Sequence, residues 1–414
     1  MHRHMAHRTQ AKNMSSRSVE RINSGMQWKT LQKQFLNTLL SSPTTMIRAM
    51  NKVRVGITIG DINGISPEVI IKSVYPPEIL ELCTPVIYGS SKVVSYHKNI
   101  VQAEDFVYQS LQTAERLNPQ KANVVNCWED AVNINLGRAT EESGKYAYIA
   151  LDRAVRDLKA GLIDVLVTGP VNKHALRLAQ FPATGHTDYL EEQFAGHSLM
   201  VMVSDAMKVG LVTDHIPVKQ VAQSISRETL RSKLELFVRC LRIDFGIERP
   251  TIAVLGLNPH ASDQGIIGTE DEEIIRAVIV EYKKAGNLVM GPYSADGFFG
   301  SGAFRKFDGV MAMYHDQGLI PFKTISFGYG VNYTAGLSIV RTSPDHGTAY
   351  DLAGKNEADP SSMRQAIYTA IDTFRRRKEY AELREKPIRK EPIRSESMEA
   401  VEDTKEFRED PGNQ

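Results

Sequence analysis

From Val53 onward, short apolar runs alternate with amphipathic stretches. "VRVGITIG" (Val53–Gly60) reads as a strand, followed by a Gly/Asn turn and a helix with Ser66 as the expected N-cap and Pro67 as its first residue. Leu151, Ala154, Val155 and Leu158 recur at i, i+3, i+4 and i+7, which predicts one face of a helix closed by Gly161. "DVLVTGP" (164–170), "LMVMVS" (199–204), "VGLVTDH" (209–215), "TIAVLGLNPH" (251–260) and "GVMAMYH" (309–315) are short runs with no polar alternation. Strands of that kind are buried on both faces, as in a covered, mainly parallel sheet. The expected fold class is α/β in three layers, helices over both faces of one sheet.

Three of these runs end in histidine: His215, His260 and His315. Ligands bind beyond the carboxyl ends of strands in open α/β sheets, so the three imidazoles are candidates to converge. Three histidines with an open position suit a catalytic divalent metal. Asp214, Asn258 and Asp316 stand beside them as groups that could orient the rings. The plainer alternative is three unrelated histidines at strand ends.

A second set points to an anion. His186 and Thr187 begin a short predicted helix, where free backbone N–H groups favour negative charge. Lys323, Asn332 and Arg341 flank and occupy the Gly-rich "KTISFGYGVNYTAGLSIVR", and Lys and Arg suit a phosphate or carboxylate. Taken singly, Lys323 and Arg341 are also what a solvated surface carries. Thr269 with Glu272 reads as a capping box and nothing more. No GxGxxG follows a strand into a helix and no GxxxxGK[ST] occurs, which argues against a Rossmann-type dehydrogenase and a P-loop kinase.

Composition narrows the classes. The 414 residues, 42% hydrophobic and 24% charged, are ordinary for a soluble globular chain. No stretch approaches the roughly 18 consecutive apolar residues of a membrane span. Cys83, Cys127 and Cys240 lack CxxC spacing, which fits a reducing, cytoplasmic setting. The net charge of +1 divides unevenly: residues 1–50 hold eight Lys/Arg against Glu20, or +7, leaving −6 for the rest. The body therefore has no basic patch of the kind that binds nucleic acid. Residues 1–50 read as a non-structural basic leader, either an organellar transit peptide or an upstream start running into Met46 or Met50. Residues 384–414 are charged and Pro-interrupted, and the expectation is a disordered tail.

Six motifs in order resemble the 4-hydroxythreonine-4-phosphate dehydrogenase family: "TGHTDYLEE", "TDHIPV", "LNPHASDQGIIGTE", "AMYHDQGLIPFK", "SFGYGVNYTAGL" and "RTSPDHGTAYDLAG". The resemblance covers about residues 53–375. It implies an isocitrate/isopropylmalate-dehydrogenase-like fold, catalytic over 51–383, with subdomains near 51–175 plus 343–383 and 176–342. It also implies a homodimer with the active site at the subunit interface, and oxidation of a small phosphorylated amino acid, 4-phosphooxy-L-threonine, with NAD or NADP and one divalent ion (zinc, magnesium or cobalt). A sister activity on 4-phospho-erythronate or 4-phospho-threonate would use the same residues. Carried over, His215, His260 and His315 would hold the metal, and His186, Thr187, Lys323, Asn332 and Arg341 the substrate. His346, Gly347 and Asp351 would contact the cofactor. Asp316 and Lys323 are the candidates to take or relay the proton. One departure matters: the family's first turn usually reads like "PGDPAGIGPE", whereas this chain has "IGDINGISPE", with Ile62 and Asn63 for Pro-Ala and Ser66 for a glycine.

Overall fold

The structure, a computed structural model, describes residues 52–385; the leader and nearly all of the tail lie outside that range. Twelve strands form one sheet: β1 (Val53–Thr58), β2 (Cys83–Gly89), β3 (Tyr108–Leu111), β4 (Ala122–Asn126), β5 (Val165–Thr168), β6 (Leu199–Val203), β7 (Lys208–Leu211), β8 (Thr251–Leu255), β9 (Leu288–Tyr293), β10 (Gly309–Ala312), β11 (Val331–Ala335) and β12 (Arg341–Pro344). Their spatial order is β3-β4-β2-β1-β5-β12-β11-β6-β7-β10-β8-β9. Within each half the strands run parallel, from β3 to β12 and from β7 to β9. The halves meet through antiparallel pairings of β11 with β12 and β6, and of β6 with β7.

Successive residues of a strand point to opposite faces, and β2, β5 and β10 are buried at every position. Both faces of the sheet are therefore covered, which is the three-layer arrangement expected from the unbroken apolar runs. The helix Glu141–Lys159 buries Leu151, Ala154 and Val155 of the periodic positions and half-buries Leu158, and Gly161 follows it at φ +68. Glycines at β7 and β10 make room for a ring: a Cβ at Gly309 would stand 2.7 Å from the Phe237 ring and one at Gly210 3.3 Å from it. Phe237 is fully buried and packs over the two strands that carry His215 and His315.

Two expected caps take other forms. Ser66 is inside its helix (Ser66–Val74), with Ile65 as N-cap; its hydroxyl donates to Ile59 O at 2.7 Å, closing the first turn. Thr269 contributes its carbonyl to Glu272 N and Glu273 N, while the Glu272 carboxylate turns forward to Arg276 at 2.6 Å. An i,i+4 ion pair has displaced the reciprocal side-chain bonds of a capping box.

Behind the first turn His97 is 1% exposed, its Nε2 2.9 Å from Ile62 O. Burial, opposed by that hydrogen bond, pushes its pKa down to about 4 from 6.5. Between those values the unfolded chain binds the proton and the folded chain does not, so stability is lost as pH falls from 6.5 toward 4. The expected slope from this residue is about 1.4 kcal/mol per pH unit. Denaturant unfolding at several pH values between 6.5 and 5 should show that slope reduced by one proton's worth in His97→Gln. An identical slope in both proteins would contradict the assignment.

Candidate active site

The anion end is built on the middle of the sheet. Arg341 opens β12, in register with Leu166 of β5 on one side and Thr334 of β11 on the other. Flanked by two strands, it is 5% exposed. Its Nη1 donates to Thr334 Oγ1 at 3.0 Å and its Nη2 to Thr168 Oγ1 at 2.7 Å; Nε has no partner. Burial alone pushes the guanidinium down to about 10, so it stays cationic at neutral pH. Two hydroxyls orient this charge and none of its hydrogen-bonding partners is an anion. A buried charge without a counter-ion is costly, so its retention points to an anionic ligand. The reading of Arg341 as a solvated surface charge is excluded.

His186 begins the helix His186–Gln193 after Gly185. It is buried, and its Nε2 also lacks a partner. Burial first, then the charges of Arg341 and Lys173, push it down to about 3, which makes it a neutral imidazole at working pH. Thr187 follows, half-buried, and Asn332 on β11 is half-buried opposite Ser343 of β12. Lys173, which was not among the expected site residues, starts the helix Lys173–Leu178 just beyond β5, where Asn172 caps Ala175 N at 3.0 Å. Besides burial, its charge lowers the pKa of both His186 and His215.

The histidine end forms where β7, β10 and β8 lie side by side and parallel. Pairing runs past the strand ends: Val212 N donates to Ala312 O at 2.9 Å, and Thr213 donates to Met313 O through both N (3.2 Å) and Oγ1 (2.8 Å). Two residues further, the rings of His215 and His315 have centroids 5.6 Å apart. They border a pocket of about 200 Å³ with Ile216, Val218, Val221 and Tyr314. Asp316 Oδ1 lies 2.7 Å from His315 Nδ1, which fixes the ring and leaves Nε2 for another partner. Burial first, then Lys173, lowers the pKa of His215, favouring the neutral form a metal binds.

His260 is not brought to this pair within one chain. Beyond β8 the backbone runs through left-handed conformations from His260 to Gln264. Buried Asp271 pins that loop, accepting from Leu257 N at 2.7 Å, Asn258 N at 3.1 Å and Ser262 Oγ at 2.6 Å. The Asn258 amide is spent on Glu270 and Asp271 (2.9 and 3.0 Å) rather than on His260. His260 is exposed, and among the described residues no three His, Cys, Asp or Glu groups gather as a metal site. Gln317 links the strand ends instead, accepting from Met313 N at 2.8 Å and donating to Gly256 O at 2.6 Å.

Lys323 lies on the helix His315–Ser326, with Nζ 3.2 Å from Asp345 Oδ1. Burial raises the Asp345 pKa and Lys323 opposes that rise. This ion pair joins the helix bearing His315 to the segment bearing the cofactor candidates. There His346 Nδ1 is 3.1 Å from Gly347 O, and its Nε2 is buried without a partner. Apart from its chain neighbours, no described residue comes within 4 Å of where a Cβ on Gly347 would stand, and Asp351 is exposed.

Fold and site together define an α/β protein with a buried cationic residue in the middle of one twelve-stranded sheet. The chain belongs to the family described as pyridoxal phosphate biosynthetic protein PdxA, whose model matches residues 81–370. It is 49% identical over 356 residues to the 4-hydroxythreonine-4-phosphate dehydrogenase of Bacteroides thetaiotaomicron, covering 86% of this chain and 96% of that one. A Cutibacterium acnes protein provisionally named D-threonate 4-phosphate dehydrogenase is 33% identical over 326 residues, covering 77% of this chain and 93% of its own length. The crystal structure of 4-hydroxythreonine-4-phosphate dehydrogenase from Klebsiella pneumoniae matches with a TM-score of 0.66 at 31% identity, over 78% of this chain and 98% of that one.

Proposed function

We propose that the protein oxidises 4-phosphooxy-L-threonine with NAD or NADP, giving a β-keto acid that loses CO2 to form 3-amino-2-oxopropyl phosphate in pyridoxal phosphate biosynthesis. The observation that carries this reading is the buried, uncompensated guanidinium of Arg341 beside neutral His186, in a chain whose relatives carry that enzyme's name. Arg341, His186, Thr187 and Asn332 hold the ionised ends of the substrate, and Lys173 adds a further positive charge. His215 and His315 are adjacent, and Asp316 leaves the Nε2 of His315 free, so the pair would supply two imidazole ligands to a divalent ion and needs a third from elsewhere. The cofactor loop fits a polar ligand on similar grounds, since His346 presents an unpartnered Nε2 beside the open Gly347. When bound, the ion acidifies the hydroxyl it polarises and the nicotinamide accepts a hydride.

The chain's own residues then position and move protons. Lys323, held by Asp345, is the donor or relay at the carbonyl end, and Asp316 the acceptor, if the His315 contact is given up as substrate enters. Burial of Arg341 and His186 strengthens their grip on the substrate by excluding water. In this reading the two lobes are 51–175 with 343–383, and 176–342, and the cleft between them is shared in a homodimer. Exposed Val218, which lines the pocket of His215 and His315, and exposed Ile320 and Phe327, further along and at the end of the helix that His315 begins, support an apolar interface. A second copy of His260 then completes the metal site. No helix among the described residues is long and apolar enough to cross a membrane. We place the reaction in the cytoplasm because the free Cys83, Cys127 and Cys240 suit a reducing compartment.

A second reading, oxidation of 4-phospho-erythronate or 4-phospho-threonate, is favoured by the Cutibacterium acnes relative. Steady-state assays with 4-phosphooxy-L-threonine and D-threonate 4-phosphate, each with added divalent metal and either nicotinamide, separate the two. The proposed function expects kcat/KM at least about 10-fold higher for the amino acid, a difference of about 1.4 kcal/mol in transition-state binding. The opposite ranking would establish the sister activity.

A further inference from the structure

We propose that Asn63 is a positioning residue for the cofactor loop, acting through a buried polar knot that ties together three segments distant in sequence. The proposal rests on the assignment of His346, Gly347 and Asp351 to the cofactor. Asn63 is fully buried, and its amide is used three times. Nδ2 donates to Arg138 O at 3.0 Å and to Thr140 Oγ1 at 3.1 Å, while Oδ1 accepts from Asn135 N at 2.8 Å. Its carbonyl accepts from Gly137 N at 2.8 Å. The segment 135–140 is thereby fastened onto the first turn.

The same turn holds the cofactor loop from its other side. Ile65 N donates to Thr348 O at 3.0 Å, and a Cβ on Gly64 would stand 2.6 Å from that carbonyl oxygen, so the two backbones touch. Buried Asp61 accepts from Asn63 N at 2.8 Å, Ser143 Oγ at 3.2 Å and Tyr350 Oη at 2.6 Å. The two outer segments also meet directly. A Cβ on Gly137 would lie 3.0 Å from Tyr350 O, and one on Gly354 2.6 Å from Leu136 Cδ1. Segment 135–140 is thus one wall against which residues 348–354 pack, and Asn63 is the side chain that fixes the wall. An alanine, the residue usual at this point in the family's turn, can make none of the three amide bonds. Without them, ordering of the wall would have to accompany cofactor binding and would weaken it.

The test uses the full-length protein. Titration calorimetry with NAD and NADP should show Asn63→Ala weakening the preferred cofactor by about 5- to 20-fold, the equivalent of one to two net hydrogen bonds. The KM for the phosphorylated substrate should stay within about two-fold, a split that general loss of structure would not give. Amide hydrogen exchange should rise in 135–140 and in 346–354 together. His346→Ala is measured in parallel. Loss of cofactor affinity in His346→Ala with none in Asn63→Ala overturns the proposal and leaves the cofactor assignment standing; loss in neither removes both. Should Asn63→Ala fail to fold, Asn63→Ser, which is too short for all three bonds, carries the same test.

Discussion

Replacing Arg341 by lysine is expected to lower kcat/KM for the phosphorylated substrate by about 10- to 150-fold. An ammonium cannot reproduce the planar two-pronged contact of a guanidinium, and one charged hydrogen bond contributes about 1.5–3 kcal/mol. Arg341→Met, which removes both prongs, should cost about 10²- to 10⁴-fold on the same arithmetic. The thermal midpoint should move differently. Arg341 is buried, donates only to the neutral hydroxyls of Thr334 and Thr168, and leaves Nε unsatisfied. A methionine of similar length relieves that desolvation, so the Met variant should melt at or above the wild-type temperature. Activity and stability changing in opposite directions is the signature of a charge kept for a ligand. A variant that loses stability and activity together would make Arg341 a structural residue. Comparing 4-phosphooxythreonine with unphosphorylated 4-hydroxythreonine then assigns the end held: a much smaller loss with the latter means phosphate, an equal loss means carboxylate.

The strands carrying the histidines were legible because they are mostly buried on both faces and therefore apolar without alternation: β8 and β10 lie within the runs that predicted them, and β7 starts one residue before its run, at Lys208. Their convergence was legible only in part. His215 and His315 come together because Thr213 and Met313 continue the ladder beyond the regular strands. His260 does not: beyond β8 the chain enters a loop pinned by Asp271 at Leu257 N and Asn258 N, a contact that no side-chain pattern announces. Arg341 looked like one charge in a Gly-rich stretch, and its burial comes from β5, whose Thr168 is 173 positions away in sequence. Lys173 and Asp345 were missed for the same reason: each is an ordinary charge locally, and each acquires a role only from what the sheet sets beside it. Ser66 and Thr269 show the converse error, where a local cap signal was outbid by Ile59 O and by Arg276.

Removing any one of His215, His260 or His315 is expected to lower affinity for a divalent ion by at least about 10-fold, since the ligand shell is left incomplete. The measurement is metal content after dialysis against a graded chelator, with turnover as a second reading. Asp316→Asn should weaken metal binding less, because the amide can still bond His315 Nδ1 but no longer carries the charge that makes the ring a better ligand. The separation of His260 from the other two gives a sharper test. If each site takes His215 and His315 from one chain and His260 from the other, His215→Ala and His260→Ala subunits complement each other. In a symmetric dimer the mixed species has one intact site of two. Random reassociation of equal amounts makes half the dimers mixed, so about a quarter of wild-type metal binding and activity should return on mixing. If all three ligands belong to one chain, mixing restores nothing, because every chain in every dimer carries a broken site. No recovery, with both variants folded and dimeric, would remove His260 from a shared site, and unchanged metal content in all three single variants would remove the metal centre altogether.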